Sequence, residues 1–461
     1  MNKARDAVPI RGVIEGFYGV YYTFQERDDM IRYIGSLGFN QYIYGPKNDR
    51  QHRMRWREPY PEDVMEAFSR TVEAAEEAGV SFVYSIGSGV TMSYASEEDF
   101  RLILEKFEAF YRIGVRDFSI LLDDISSEFK HPADGERYGS FAEAHADVCN
   151  RLYAALQARD PACTLSMCPT DYHGTAPFSA YLHELGKRMR PEVAIFYTGE
   201  DICAKEIRRS DAEAFGAAAR RKPVIWDNYP VNDLAMRPEL HVGPIRGREA
   251  GLLEAVDGYV VNLMAEGEAS KIALSTFADY FRDPAGYDPE RSWTAAIKRV
   301  AGEKSAEAFR LFAEQSLESC LAEPNSVRLN ELTEAALSAL RSGTPGASGA
   351  EEVERLEELL TAFDEGCYHL KNRMRNVALR NNLLPWIEAL EHWLWMARRA
   401  LLVLAAIERG ESFEGPLRMM KESLEEIDRA PKRMTDGSLR ALAAFALERA
   451  EGAGTGKESS L

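Results

Sequence analysis

Residues 118–129 read FSILLDDISSEF, an apolar run that ends on two neighbouring carboxylates, Asp123 and Asp124. Adjacent side chains on a regular strand point to opposite faces. Both acids therefore reach one cleft only where the strand is ending and bending into its loop. Three kinds of chemistry suit the pair. Asp124 or Ser126 caps the following turn by accepting from backbone N–H groups, which explains one aspartate and not two. A hard divalent cation takes carboxylates, but no further oxygen or imidazole ligand follows at a recognisable spacing. An acid/base team is the third: two close carboxyls repel, their pKa values separate, and one stays protonated near neutrality as a proton donor.

The usual cleavage of a glycosidic bond sets two carboxyls ~5–5.5 Å or ~6.5–9.5 Å apart on opposite sides of the bond, which sequence neighbours do not readily achieve. The substrate-assisted exception escapes that requirement. There the 2-acetamido oxygen of the sugar attacks its own anomeric carbon. One carboxylate orients the acetamide N–H and the other protonates the leaving oxygen, both from the same edge of the substrate.

The elements that must position these acids repeat along the first 285 residues. Eight short apolar runs alternate with helix-period segments: GVIEG (12–16), QYIYG (41–45), SFVYSI (81–86), DFSILL (117–122), TLSMC (164–168), VAIFY (193–197), PVIWD (223–227) and GYVVN (258–262). The segment 61–79 has helical spacing, with Pro61 near its start and Gly79 at its end. Eight such units predict an α/β fold, a closed (β/α)8 barrel, with a doubly wound open sheet as the competing architecture. In a barrel the chemistry gathers on the loops after the strands. Those loops hold GFYG (16–19), PKNDRQHRMRWREPYP (46–61), Asp123 and Asp124, PTDYHG (169–174), DNYPVND (227–233) and Asn262.

Beyond residue 286 strand signals give way to Ala/Glu/Leu/Arg-rich stretches, which predict an all-α domain over 286–450 and a disordered tail over 451–461. RSGTPGASGAEE (341–352) reads as a loop between helices. A helix is expected to open on Pro385, with Trp386, Leu390, Trp393, Ala397, Leu401 and Leu404 along one buried face.

A chain of 461 residues exceeds what one core usually serves, and its 45% apolar and 28% charged content is that of a globular protein. The net charge of −18, without a basic stripe, argues against nucleic acid as a partner. The longest lipid-like run, ALLVLAAI (400–407), is too short to span a bilayer, and the first residues carry no apolar signal core. Cys149, Cys163, Cys168, Cys203, Cys320 and Cys367 lack paired spacing and read as reduced thiols, so the expectation is a cytoplasmic protein with no membrane partner.

Six stretches, in order, resemble the β-N-acetylglucosaminidases of glycoside hydrolase family 84, a group that includes O-GlcNAcases and bacterial hyaluronidase-like proteins. They are GVIEGFYG (12–19), YIYGPKND (42–49) with HRMRWREPYP (52–61), LLDDIS (121–126), CPTDYHG (168–174), IWDNYPVND (225–233) and SKIALSTFADY (270–280). The resemblance implies a retaining hydrolysis of terminal β-linked N-acetylglucosamine through an oxazoline, without metal or organic cofactor. It implies that Asp123 orients the acetamide and that Asp124 is the general acid and later the base. Tyr172 is similar to the tyrosine beside the acetamido oxygen. Trp226 and Asn228 look like pocket residues, and Gly16, Lys47, Asp233 and Asn262 match positions that hold sugar hydroxyls. The expected partner is a protein or glycan bearing N-acetylglucosamine, and a homodimer through the helical domain is expected. A glycan-binding protein without turnover, a hydrolase of a hyaluronan-like polymer and a metal-dependent barrel hydrolase are the rival readings. Two departures stand out: Tyr197 where the family usually shows Trp, and Leu263 where a proline is common.

Overall fold

The computed structural model describes residues 9–321, 325–342, 347–435 and 437–458. Eight parallel strands form the barrel: β1 Ile10–Glu15, β2 Gln41–Tyr44, β3 Ser81–Ile86, β4 Asp117–Leu121, β5 Thr164–Cys168, β6 Ala194–Tyr197, β7 Val224–Asp227 and β8 Gly258–Asn262. Each pairs with the next, and β8 returns to β1 from Ile10 opposite Gly258 to Ile14 opposite Asn262. Closure decides between the two architectures the sequence allows. The strands read as nearly unbroken apolar runs because both faces are covered, by helices outside and by packed side chains within. Ile14, Ile43, Val83, Leu121, Cys168 and Val260 belong to one buried cluster at the heart of the barrel.

The helices start where the sequence offers a cap. Thr23 makes a reciprocal capping box with Glu26, and Ser96, Ser140 and Ser179 each accept from an amide in the first turn of the helix they precede. The segment read from Pro61 to Gly79 is the helix Glu62–Glu77, closed beyond its C-terminus by Gly79 at φ +70°.

The chain divides into two compact units, one of Met1–Leu234 and Pro244–Trp293, the other of Ala235–Gly243 and Thr294–Leu461. Residues 235–243, inside the stretch read as barrel, join the second unit through their carbonyls. The Pro238 oxygen accepts from the Trp386 indole (2.9 Å) and the Arg433 amide (2.7 Å), and the Arg237 oxygen accepts from Lys432 (2.8 Å).

The second unit is helical, with Val327–Ser342, Ala347–Asn372, Val377–Arg409, Glu414–Arg429 and Ser438–Glu458 its longest elements. Pro385 does not open its helix but lies inside Val377–Arg409. The helix starts earlier because Asn376 caps it, accepting from the Leu379 amide (3.0 Å). The expected stripe from Trp386 to Leu404 is buried throughout, and that burial outweighs the one backbone bond a proline removes. The region 341–352 is mostly helix, with residues 343–346 outside the described residues. The tail expected to be disordered is helical as far as Glu458, because the Ala/Leu/Phe run before it propagates a helix already nucleated; residues 459–461 lie outside the described residues. Among the described residues no helix is long and apolar enough to cross a membrane.

Burial fixes one response to acid. His52 and His145 are both fully buried, and burial pushes them down to about 4 and about 3. In the unfolded chain each takes up a proton near its ordinary value of 6.5, so the stability they support is whole above that pH and is lost as the pH falls toward their folded values. At pH 5 the loss is about 2 kcal/mol per histidine. Urea midpoints at pH 7.5 and 5 should differ accordingly, and His145→Gln should shrink the difference; an unchanged difference removes His145 from this account.

Candidate active site

The loop after β1 is anchored from below. Glu15, fully buried, accepts from the Arg27 guanidinium (2.9 Å), the Tyr22 amide (2.9 Å) and the Tyr42 hydroxyl (2.6 Å). That anchor presents the Gly16 amide to the Asn262 side-chain oxygen (3.2 Å) and the Tyr18 amide to Asp233 Oδ2 (2.7 Å). A side chain at Gly16 would sit 2.8 Å from the Trp226 ring and 3.2 Å from Asn262 Oδ1, so only glycine lets these three strand ends approach.

The long loop after β2 is equally fixed. Asp49, buried, accepts from the hydroxyls of Tyr44 (2.6 Å) and Tyr60 (2.5 Å) and from the Gln51 amide (2.9 Å). Lys106 donates to the carbonyls of Gln51 (2.7 Å) and Glu58 (2.6 Å). Held in this way, the loop delivers Lys47, whose ammonium is salt-bridged to Asp123 Oδ2 and lies 5.7 Å from the centre of the Trp226 ring.

Strand β4 supplies the acids. Its ladder with β5 runs one residue past the strand, through the Leu122 amide to the Cys168 carbonyl (2.9 Å). Asp123 follows, 7% exposed, with Oδ2 on Lys47 and Oδ1 buried without a hydrogen-bond partner among the described residues. Asp124 then takes a left-handed backbone, φ +52°. Aspartate tolerates that conformation better than most residues. It ends the alternation of side chains, so the second carboxyl swings to the same mouth as the first.

Around Asp124 stand three loops. Tyr172, after β5, donates to Oδ1 (3.0 Å), and Tyr18, after β1, donates to Oδ2 (2.8 Å). Arg53, from the loop after β2, donates to the Tyr18 hydroxyl (2.7 Å) and reaches the Asp124 carbonyl (3.4 Å). Beyond them, the Asn228 side-chain oxygen accepts from the Trp226 indole (2.9 Å) and from Asn262 (2.8 Å), while its own amide donates to the Ile202 carbonyl (2.8 Å). The structure thus brings Gly16, Lys47, Asp123, Asp124, Tyr172, Trp226, Asn228, Asp233 and Asn262 to one face, from the ends of β1, β2, β4, β5, β7 and β8.

The electrostatics differ from simple mutual repulsion. Burial pushes the Lys47 ammonium toward neutrality, but Asp123 and Asp124 outweigh it and raise its pKa, so it stays charged. Partial desolvation pushes the Asp124 carboxyl up, yet Lys47, the hydroxyls of Tyr18 and Tyr172 and the Arg53 guanidinium together hold it below the usual carboxylate range. The expectation that one acid waits protonated therefore does not describe Asp124 in the free protein: a lysine serves both acids, and two hydroxyls donate to the ionised form. Asp233 is raised by burial. Burial, then Asp124, raises the Tyr172 phenol, which remains a donor.

The profile of the β-N-acetylglucosaminidase family matches residues 11–314. The chain belongs to that family. It is 32% identical over 276 residues to protein O-GlcNAcase of Rattus norvegicus and equally to that of Mus musculus. Those alignments cover 59% of this chain and 30% of each relative, so the chain spans less than a third of the curated relatives it matches. A solved mutant of the O-GlcNAc hydrolase of Thermobaculum terrenum has 29% identity and a TM-score of 0.91, over 98% of this chain and 97% of that one.

Both departures from the family pattern leave the mouth intact. Tyr197 is buried behind it, stacked on Phe215 at 4.3 Å, with its hydroxyl on the Gly174 carbonyl (2.9 Å). Leu263 is also buried, and its amide donates to the Ile14 carbonyl (3.2 Å), a bond that a proline at this position would have no N–H to make. That bond continues the β1–β8 ladder past Asn262. Tyr18 and Arg53 escaped the sequence reading although both lie in family stretches, GFYG and HRMRWREPYP.

Proposed function

We propose that this β-N-acetylglucosaminidase family member is a glycoside hydrolase that removes terminal β-linked N-acetylglucosamine with retention, the sugar's acetamido oxygen acting as nucleophile. The observation that carries this reading is the unequal treatment of two neighbouring acids. Asp123 has one oxygen neutralised by Lys47 and the other buried without a donor among the described residues, whereas Asp124 faces the solvent side of the mouth. A buried acceptor without a donor is costly, and an acetamide N–H satisfies it. Asp123 accordingly orients the acetamide and takes up its developing charge. Asp124 gives its proton to the leaving oxygen, then accepts one from the water that opens the oxazoline. Binding must first raise Asp124: the incoming acetamido oxygen draws the Tyr172 hydroxyl away, and the sugar excludes water from the carboxylate. Trp226 and Asn228 frame the acetamide, and Gly16, Lys47, Asp233 and Asn262 receive the hydroxyls.

The carrier is a glycosylated protein or glycan fragment rather than a polyanionic polymer. Val20, Met54, Ile202 and Leu234, on the loops after β1, β2, β6 and β7, are 83%, 55%, 45% and 63% exposed. An apolar rim on a chain of net charge −18 suits a polypeptide better than hyaluronan. The reduced thiols read from the sequence suit the cytoplasm.

Turnover of an aryl β-N-acetylglucosaminide, with none of the matching aryl β-glucoside, is the expected result, since only the first carries the nucleophile. Equal turnover of both, or binding without turnover, overturns the reading.

A homodimer is part of it. Val377, Leu384, Trp395 and Leu402 are exposed on Val377–Arg409 at successive spacings of 7, 11 and 7 residues, which places them on one face over roughly 38 Å. Another copy of the same stripe is the occupant proposed. Light scattering should give twice the chain mass, and Trp395→Glu should halve it; a monomeric parent protein contradicts the dimer.

A further inference from the structure

Arg53 has no place in the substrate contacts or proton transfers assigned above, yet it touches Asp124 at both ends of the residue. Through the Tyr18 hydroxyl (2.7 Å, then 2.8 Å onward) it reaches the carboxylate, and directly it reaches the carbonyl of the left-handed Asp124 backbone (3.4 Å). The guanidinium also lies 5.3 Å from the centre of the Tyr18 ring, so ring and hydroxyl are both fixed relative to it. Its own backbone is held by the Asp49 carbonyl (3.2 Å), within the loop clamped by Lys106.

We propose that Arg53 is a positioning residue that acts through Tyr18 to hold Asp124 in its proton-accepting form, so that it serves the opening of the oxazoline by water more than its formation. The inference rests on the hydrolase reading for its place in the reaction, but not for its effect on Asp124. A hydroxyl that accepts from a guanidinium becomes a stronger donor to the carboxylate beyond it. Tyr18 donates to Oδ2 and Tyr172 to Oδ1, so the Tyr18 bond does not depend on Tyr172 staying in place. In the second half-reaction the Asp124 carboxylate takes a proton from water, the water oxygen bonds to the anomeric carbon, the bond from that carbon to the oxazoline oxygen breaks, and Asp123 returns to the nitrogen the proton it took when the ring closed. Every donor that prefers ionised Asp124 helps this step and opposes the first. The other groups that face Asp124 are Lys47, Tyr172, Asp123, Asp233 and the buried Cys168 thiol. The Arg53 side chain bonds to the Tyr18 hydroxyl and the Asp124 carbonyl, and to none of these five groups.

A carbon-13 NMR titration of aspartate-labelled protein reads the effect without turnover, with the Asp124 signal assigned by its absence in Asp124→Asn. The midpoint should rise by about one unit in Arg53→Gln and in Tyr18→Phe, and return most of the way in Arg53→Lys. An unchanged midpoint in folded Arg53→Gln overturns the proposal. With an aryl substrate whose departure needs no proton, the acidic limb of kcat should move up by the same amount in Arg53→Gln. A limb that stays in place while kcat falls evenly at all pH values assigns Arg53 a merely structural role. A wild-type protein that turns over no aryl substrate defeats the hydrolase reading and leaves the titration to decide this one.

Discussion

Asp124→Asn should lose ~10²–10⁴-fold in kcat on substrates whose alcohol leaving group needs a proton, and far less on aryl substrates whose leaving group departs as an anion. Asparagine keeps the size of the side chain and is among the few residues at ease in a left-handed backbone, so φ +52° at this position is retained. The amide still accepts from one hydroxyl, from Tyr18 or Tyr172, and the loop stays in place. What disappears is a proton that shuttles. A plot of rate against leaving-group pKa should therefore be steeper for the variant than for the parent enzyme. Added azide or formate should restore part of the second step on aryl substrates, because a small anion fits where the carboxylate worked and attacks or activates water. A uniform loss across all leaving groups would mean that Asp124 is not the acid.

Asp123→Asn should behave differently: a loss of ~10²–10³-fold that is the same for good and poor leaving groups, because the acetamide is no longer polarised in any transition state. Here a second effect follows from burial. Lys47 and Asp123 are 8% and 7% exposed and neutralise each other. Removing one charge leaves the other buried and unpaired, at a cost of ~3–5 kcal/mol. Lower thermal stability should accompany the lost rate, whereas Asp124→Asn should be close to the parent in stability. Asp123→Asn combined with Lys47→Met should recover stability without recovering activity. Recovery of both would place Asp123 in the architecture of the mouth and not in the chemistry.

Much of this site was legible because a barrel converts sequence order into geometry. Each apolar run names a strand, and the polar stretch that follows it must stand at the mouth, which finds Asn262 and the loops that hold Lys47, Tyr172 and Asn228 without coordinates; the family resemblance picks out those three residues within their loops. Left-handed Asp124 was legible only as a requirement: two neighbours cannot share a cleft on a regular strand, so one had to leave it. Arg53 was not legible. Its loop holds Arg50, Arg53, Arg55 and Arg57, and nothing in their spacing says that one crosses to Tyr18 while Arg57 pairs with Asp99 and Arg55 with Glu58. The expectation that one of the two acids waits protonated has a related origin, since repulsion between two acids is visible in sequence and a lysine from a different strand end is not. Residues 235–243 were given to the barrel because they lie between its strands in sequence, while their carbonyls are taken by the Trp386 indole, 148 residues away, and by Lys432 and the Arg433 amide, each 195 residues away.

The central claim is that the sugar, and not a side chain, provides the nucleophile. The direct measurement is kcat/KM of the parent enzyme for aryl glycosides bearing N-acetyl, N-fluoroacetyl, N-difluoroacetyl and N-trifluoroacetyl groups. Each fluorine withdraws charge from the carbonyl oxygen, so the rate should fall steeply and regularly along the series. A rate that ignores the fluorines would show that this oxygen does not attack, and that the two acids do something else.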